Sequence, residues 1–561
     1  MLTRSTSLAA AGGLLASLAL AACSGGGGTA SDGGSGGGAG GGTVAQLTFP
    51  AEVQGAVGGL GNFNPYSPNP LTTFWLYEPL IIKNGLTCQE TPWLANSAEW
   101  KDDKTLVITL RDGVKWSDGQ PFTAKDVAFT FNLMKQYPGM DKAGVWTDTF
   151  GAPAQSVTAE GNTVTMSFSG NAAAKYDEII KQKMLPEHVY AKVGDPTKYI
   201  DKKPVSTGPY KLASFNGRRL VLERRPEYWQ ADKVKVQKIV QEGQYDASQA
   251  ALKLRAGELD AYWGEVPNPE KTFVSANKKT NHFYYAPNGM TVLTGNLQKK
   301  PFDDAKFREA ISYAMDKEAM SLKATYGVMK PASQTGLKLP SMEKLLPDTY
   351  KGKDTVLPYD TAKANQLLDA AGYAKGADGK RTLPDGSPLA VNFSVQAGFI
   401  DYQAIADVIA KGMNEVGVAT KVTASAPESV DDQKKTGDFQ VLLEYLHGGC
   451  ELARNIGAKL SSKQFPSAKE ILPNVGRFSD PSVDATVAAL SQATDEATQR
   501  TEVGKLVDVM MTKYPVTSLI YAPTRLIYRT DKATGWPSEQ DPYANPSDDR
   551  LLVLTRLTAP K

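Results

Sequence analysis

Residues 24–43 are almost entirely Gly, Ser and Ala. A run of that composition has little apolar surface to bury and loses much backbone entropy on ordering. It predicts a flexible tether with an r.m.s. reach of roughly 25 Å, from about 5–6 Å times the square root of its length. Whatever folds must therefore be built from about residue 46 onward. The rest of the 561 residues is still too long for one compact core, so two or three domains are expected. The 62 basic and 60 acidic side chains nearly cancel, leaving no bulk field to attract nucleic acid or an anionic membrane. No nucleic-acid partner is expected.

What precedes the tether reads as a targeting segment. Arg4 supplies a positive start, and residues 8–20 are apolar but too short to span a bilayer comfortably. The segment closes on Leu20-Ala21-Ala22-Cys23. This resembles the bacterial lipobox, in which the cysteine is lipidated and becomes the mature N-terminus. Residues 1–22 are thus expected to be a lipoprotein signal peptide, and residues 23–45 a lipidated Cys23 plus tether. Two acyl chains anchor a protein stably where one does not. The expected location is the extracellular face of the bacterial plasma membrane, or the periplasm. No later transmembrane segment is evident.

Strand and helix patterns alternate along the remainder. Leu106-Val107-Ile108-Thr109-Leu110 reads as a strand, ended by the turn Arg111-Asp112-Gly113. Thr123-Ala124-Lys125-Asp126 has the form of a capping box, and Val127, Phe131 and Met134 follow at helical spacing. Residues 163–169 alternate Val164, Met166 and Phe168 on one face of a half-buried strand. Asp303 or Asp304 can cap a helix with an inner face of Phe307, Ala310, Ile311 and Ala314. Asp360 can cap another carrying Ala364, Leu367, Leu368 and Ala371, stopped by Gly372. A helix from Tyr402 carries Ile405, Val408, Ile409 and Met413, ends at Gly417 and passes into a strand of Val418, Thr420 and Val422. Such passages predict α/β lobes.

Signals for catalysis are weak. His188, His282 and His447 show no close metal-ligand spacing, and no cysteine pair has finger spacing. Gly-Gly-Ser-Gly-Gly at residues 33–37 lies in the tether and introduces no folded nucleophile. The expectation is a protein that is not an enzyme, with no cofactor and no metal; a cell-surface enzyme or an adhesin is the alternative. Cys88 and Cys450 could form one extracellular disulfide. Sequence cannot supply their separation, and we read them as two separate thiols.

Several ordered blocks resemble extracellular solute-binding protein family 5, the dipeptide- and oligopeptide-binding type. They begin with Pro92-Trp93-Leu94-Ala95 and Leu110-Arg111-Asp112-Gly113-Val114-Lys115-Trp116-Ser117-Asp118-Gly119. Ser206-Thr207-Gly208-Pro209-Tyr210, Arg225-Pro226-Glu227-Tyr228-Trp229 and Leu254-Arg255-Ala256-Gly257-Glu258-Leu259-Asp260 follow. Pro301-Phe302-Asp303-Asp304, Ala314-Met315-Asp316-Lys317 and Leu367-Leu368-Asp369-Ala370-Ala371-Gly372-Tyr373 complete the set. Most of these residues, Trp116 and Trp229 included, are read as scaffold. The resemblance implies an α/β, two-lobed periplasmic-binding-protein-like fold with a ligand cleft between lobes that close by hinge motion. The first lobe would comprise residues 46–294 plus 520–561, with an extra subdomain at about 85–204, and the second lobe residues 295–519. The implied protein is a monomer that hands a small ligand to the permease subunits of an ABC importer driven by a cytoplasmic ATPase.

The resemblance leaves the ligand class open. Peptide-binding members commonly hold the ligand's amino terminus with an Asp in a Trp-x-x-Asp-Tyr-type stretch after a strand. The comparable strand here, Asp438-Phe439-Gln440-Val441-Leu442-Leu443, leads into Glu444-Tyr445-Leu446-His447-Gly448-Gly449-Cys450, without that Asp. Glu444 or Glu451 is the substitute the peptide reading needs. Other stretches resemble the branch that binds short β-linked oligosaccharides: Asn62-Phe63-Asn64-Pro65-Tyr66-Ser67-Pro68, the segment from Val266 to Phe273, and Gly535-Trp536-Pro537. Flat rings cover the apolar faces of pyranoses while amides and carboxylates bond their hydroxyls. The candidate ligand-binding residues are Asn64, Tyr66, Trp75, Trp263, Tyr285, Glu444, Tyr445 and His447, with Trp536 assigned to the hinge region.

Overall fold

The computed structural model describes residues 42–51, 61–67, 74–149, 151–243 and 245–561. The segment expected to be a signal peptide, Cys23 and nearly all of the expected tether fall outside these residues.

Two antiparallel strands, Asn281–Gly295 and Thr517–Arg529, organise the chain. They form the centre of a six-stranded sheet. Ala261–Tyr262 lies beyond Thr517–Arg529. On the other side come Val441–His447, Ala390–Gln396 and Ala419–Ser425 in turn. One half of the central pair packs in a core with Tyr284, Ala286, Leu526 and Tyr528. Beyond the middle, Met290, Val292 and Tyr521 enter a different core, and Leu293, Leu519 and Ile520 a third. The same strands therefore serve two lobes. Pro287 faces Pro523 in register, with a bulge between Pro287 and Gly289. A proline has no N–H for the ladder, so the pair is weakest where it passes from lobe to lobe. We propose the division into lobes given above, with this point as the crossing.

The first lobe also holds a four-stranded sheet in the order Leu47–Phe49, Lys238–Glu242, Arg219–Arg224, Tyr210–Phe215. A separate four-stranded sheet, in the order Ala95–Asp102, Thr105–Leu110, Thr163–Phe168, Ala154–Glu160, has its own core. The helix Ala124–Gln136 covers it, burying Val127, Phe131 and Met134. The Thr123 amide donates to Asp126 Oδ2 at 2.8 Å, as the capping-box pattern requires. In the second lobe, Asp304 caps Ala305–Ser312, Asp360 caps Thr361–Ala370, and Ile400–Glu415 buries Ile405, Val408, Ile409 and Met413. Trp116 is fully buried against Phe122, and Trp229 packs on Trp93.

One expectation is corrected. Cys88 and Cys450 are not separate thiols but form a disulfide, with Cα atoms 5.5 Å apart and a sequence separation of 362. The long strands bring together two loops that local sequence cannot relate.

Arg225 ties the segment at residues 115–116 to the one at residues 206–208. Its fully buried guanidinium donates to the Ser206 and Gly208 carbonyls at 3.1 and 2.9 Å, and to those of Lys115 and Trp116 at 2.9 and 3.0 Å. Gly208 is required beside it, because a Cβ there would lie 2.4 Å from the Leu76 carbonyl oxygen. Arg225→Met would strand several buried acceptors at about 1–3 kcal/mol each before relaxation. We expect a loss of stability of about 3 kcal/mol in urea unfolding; a change below about 0.5 kcal/mol, the scale of an ordinary surface substitution, would contradict this role.

Candidate functional site

The parallel strands Ala390–Gln396 and Val441–His447 pair only at Phe393–Val441 and Ser394–Leu442. Past that point they separate, and a cavity of about 580 Å³ opens beside the central strand pair. Crevices at the carboxyl ends of parallel strands are where α/β sheets bind ligands, because loops and helix starts converge there. The turn before helix Ile400–Glu415 contributes Phe399, and its first turn Asp401 and Tyr402. Val441–His447 contributes Glu444, Tyr445 and His447, and Thr517–Arg529 contributes Tyr521 and Arg525.

The walls carry aromatic rings. Phe399 and Tyr402 lie 5.7 Å apart, and Tyr445 meets His447 edge-on at 4.7 Å. Phe399 is 48% exposed, unusual for so large an apolar side chain, and so presents a face to whatever enters. Burial pushes the Tyr445 phenol up to about 12, so it stays protonated. Burial, helped by Lys459, holds the His447 imidazole below its ordinary value.

The charges are largely committed. The Glu444 carboxylate lies 2.9 Å from Lys434 and 3.3 Å from Lys459. Burial works to raise its pKa, but the two ammonium groups outweigh that and keep it below the usual carboxylate range. At Lys459 burial wins instead and lowers the ammonium's pKa, since Lys434 repels it and Glu444 is shared. Arg525 lies 3.4 Å from Glu265. Glu451 is no free acid either: it pairs with Lys181 and lies 3.7 Å from Arg454.

Of the residues expected from sequence, Glu444, Tyr445 and His447 line this cavity. The other five lie in the first lobe. Asn64 is fully buried; its Nδ2 donates to the Pro196 carbonyl at 2.6 Å and its Oδ1 accepts from the Tyr66 amide at 3.0 Å. The buried Tyr66 hydroxyl donates to the Lys183 carbonyl at 2.7 Å. Trp75 is buried and stacks near Phe49. Trp263 donates to the Pro546 carbonyl at 2.7 Å, with the Arg550 guanidinium 4.3 Å above its ring. The Tyr285 hydroxyl accepts from the Val266 amide at 3.4 Å. Trp536 packs on Tyr528 at the first-lobe end of the central pair. Sequence reasoning missed Phe399, Asp401, Tyr402, Lys434 and Arg525. The one signal for the first three was a Gly-Phe turn linking a strand pattern to a helix.

Among the described residues, no three His, Cys, Asp or Glu side chains form a cluster suited to a metal, and no helix is long and apolar enough to cross a membrane. The family model for bacterial extracellular solute-binding proteins, family 5, matches residues 89–452, more than half the chain. The chain belongs to that family. A Brucella ovis protein named as an ABC transporter peptide-binding protein is 27% identical over 473 residues, spanning 79% of this chain and 81% of its own. The fold of the family 5 chain matches that of a periplasmic oligopeptide-binding protein of an oligopeptide ABC transporter from Thermotoga maritima. The TM-score is 0.78 at 23% identity, covering 92% of this chain and 99% of that one. A mannohexaose-bound structure of that Thermotoga protein matches with a TM-score of 0.68 at 24% identity, covering 91% and 96%. The two-lobed expectation from sequence therefore holds.

The depressed His447 pKa gives a direct check. A histidine whose folded pKa is lowered stays neutral until the pH falls through that lowered value, below its unfolded value. The imidazole resonances of His447 should titrate with a midpoint below the ordinary 6.5; a midpoint at or above it would contradict the described environment.

Proposed function

We propose that this protein is the solute-binding component of an ABC importer. It captures a short oligopeptide or oligosaccharide between its lobes and delivers it to the membrane permease, which a cytoplasmic ATPase drives. The observation that carries this reading is the aromatic-walled cavity at the carboxyl ends of parallel strands, directly beside the strand pair that joins the lobes. The family membership supports it. We read the protein as a monomer without catalytic function, held outside the plasma membrane by lipid on Cys23.

In this proposal Glu444, Tyr445 and His447, joined by Phe399 and Tyr402, face the ligand from the second lobe. Trp263 and Tyr285 meet it from the first lobe, and Asn64, Tyr66 and Trp75 support that wall. One feature favours a neutral, ring-bearing ligand such as an oligosaccharide. Both carboxylates that the sequence offers for a peptide ammonium are occupied, Glu444 by two lysines and Glu451 by Lys181, while Asp401 also lines the cavity. Stacking on exposed rings then supplies the affinity. The peptide reading draws support from the names of the relatives.

Calorimetry against cello- and manno-oligosaccharides and a set of short peptides separates the two. Phe399→Ala or Tyr402→Ala should weaken sugar binding by on the order of 1–3 kcal/mol, the scale of burying a large apolar side chain. Peptide binding abolished by acetylating the peptide amine, with no heat from any sugar, would overturn the sugar reading. No thermal shift with any member of either set would count against the transport role itself. For the anchor, Cys23→Ala should release the protein to the medium or leave an unprocessed precursor; a processed variant still partitioning into detergent would contradict lipidation at Cys23.

A further inference from the structure

The Cys88–Cys450 disulfide crosses from one lobe to the other, and its neighbours place it at the hinge. On the first-lobe side, Cys88 closes a turn built on Asn84. The Asn84 Oδ1 accepts from the Leu86 and Thr87 amides at 2.9 and 3.0 Å, its carbonyl accepts from the Cys88 amide at 2.9 Å, and its Nδ2 donates to the Tyr543 carbonyl at 2.6 Å. Cys88 itself has φ 60°, a backbone state that non-glycine residues seldom adopt without support. The turn is thus a rigid mount.

On the second-lobe side, Cys450 lies just beyond Gly448, whose amide donates to the Asn288 carbonyl at 3.0 Å. Asn288 occupies the bulge between Pro287 and Gly289, where the long strand changes lobes. Gly448 is needed for this approach, since a Cβ would lie 2.7 Å from Lys338 Cδ and 2.8 Å from the Asn288 oxygen. Lys338 then reaches across to the Gly85 carbonyl at 2.7 Å. The sheet order puts Thr517–Arg529, Asn281–Gly295 and Val441–His447 side by side. Pro523, Pro287–Asn288 and the disulfide therefore follow one another across the sheet.

We propose that this disulfide is a hinge pin: a third crossing between the lobes that fixes the axis about which they open. Two neighbouring strands roughly 4.8 Å apart can bend together but resist twisting poorly, because they give almost no lever arm. A covalent tie beyond the next strand supplies one. Opening about the line of the three crossings leaves the disulfide unstretched, whereas a twist about the strand direction would pull on it. The side-chain contacts between lobes are non-covalent and can part, among them Lys338 with the Gly85 carbonyl at 2.7 Å, Lys181 with Glu451, Arg454 with Glu178 at 3.5 Å, and Asn171 with the Gln492 carbonyl at 3.2 Å. The proposal assumes the two-lobed fold but not the class of ligand.

The test uses ligand-free, full-length mature protein, so it stands whether or not a ligand is found. Three forms are compared: oxidised, reduced by excess dithiothreitol (which becomes its cyclic disulfide as the bridge becomes two thiols), and Cys88→Ser/Cys450→Ser. With far-UV circular dichroism unchanged, the last two should exchange the Gly448 amide about tenfold faster than the oxidised form. They should also give a larger radius of gyration and a broader pair-distance distribution in X-ray scattering. Equal exchange and scattering in all three forms, even with a lower Tm on reduction, would make the bridge a stabilising cross-link only and overturn the pin. So would two free thiols in the non-reduced secreted protein by mass spectrometry.

Discussion

Everything in this fold depends on one antiparallel pairing, Asn281–Gly295 against Thr517–Arg529. A β ladder is stiff along its strands because each residue is held from the side, and this one runs through the cores of both lobes. At its middle the hydrogen bonding is weakened by opposed prolines and a bulge. Stiffness at both ends and weakness at the centre make two bodies with a defined flexure between them. The candidate site lies at that flexure, so a solute that bonds both lobes is bound more tightly when they are closed, and binding and motion become one equilibrium.

The electrostatics of the cavity follow from the same economy of buried groups. A lone carboxylate at the position of Glu444, on an interior strand of the sheet, would be costly, and two lysines stabilise it. That removes it from ligand recognition and leaves the rings, the neutral polar groups and Asp401 to act. The depressed His447 pKa agrees, since a neutral imidazole beside Tyr445 is a hydrogen-bonding surface and not a charge. Asn64, Tyr66 and Trp75, which sequence suggests as ligand contacts, spend their polar atoms or their faces on neighbouring loops or rings. Aromatic residues near loops are as useful for closing a lobe as for stacking on a sugar, and composition cannot separate the two uses.

Much of the secondary structure was legible because it rests on local signals. The Thr123–Asp126 capping box, the aspartate caps at 304 and 360, and the period-two burial of Val164, Met166 and Phe168 each need only a few neighbouring residues. The ordered family blocks carried the two-lobed architecture, which periodicity alone did not. Tyr445 and His447 were found because they continue a recognisable strand pattern, and they lie on the strand itself. Phe399, Tyr402 and Arg525 were not, because they come from two segments, distant in sequence from each other and from that strand, that meet only in the folded chain. The disulfide was missed for the same reason: its partners are joined by tertiary geometry, and spacing of 362 residues carries no information about it.

The central claim is that the two lobes close on a solute about the proline-paired crossing. Small-angle X-ray scattering of the oxidised protein, titrated with whichever oligosaccharide or peptide gives a calorimetric signal, tests it most directly. A fall in radius of gyration that saturates with the calorimetric stoichiometry, at constant secondary structure, is the predicted result. A radius that does not change through saturation would contradict it and make the cleft a rigid, preformed site.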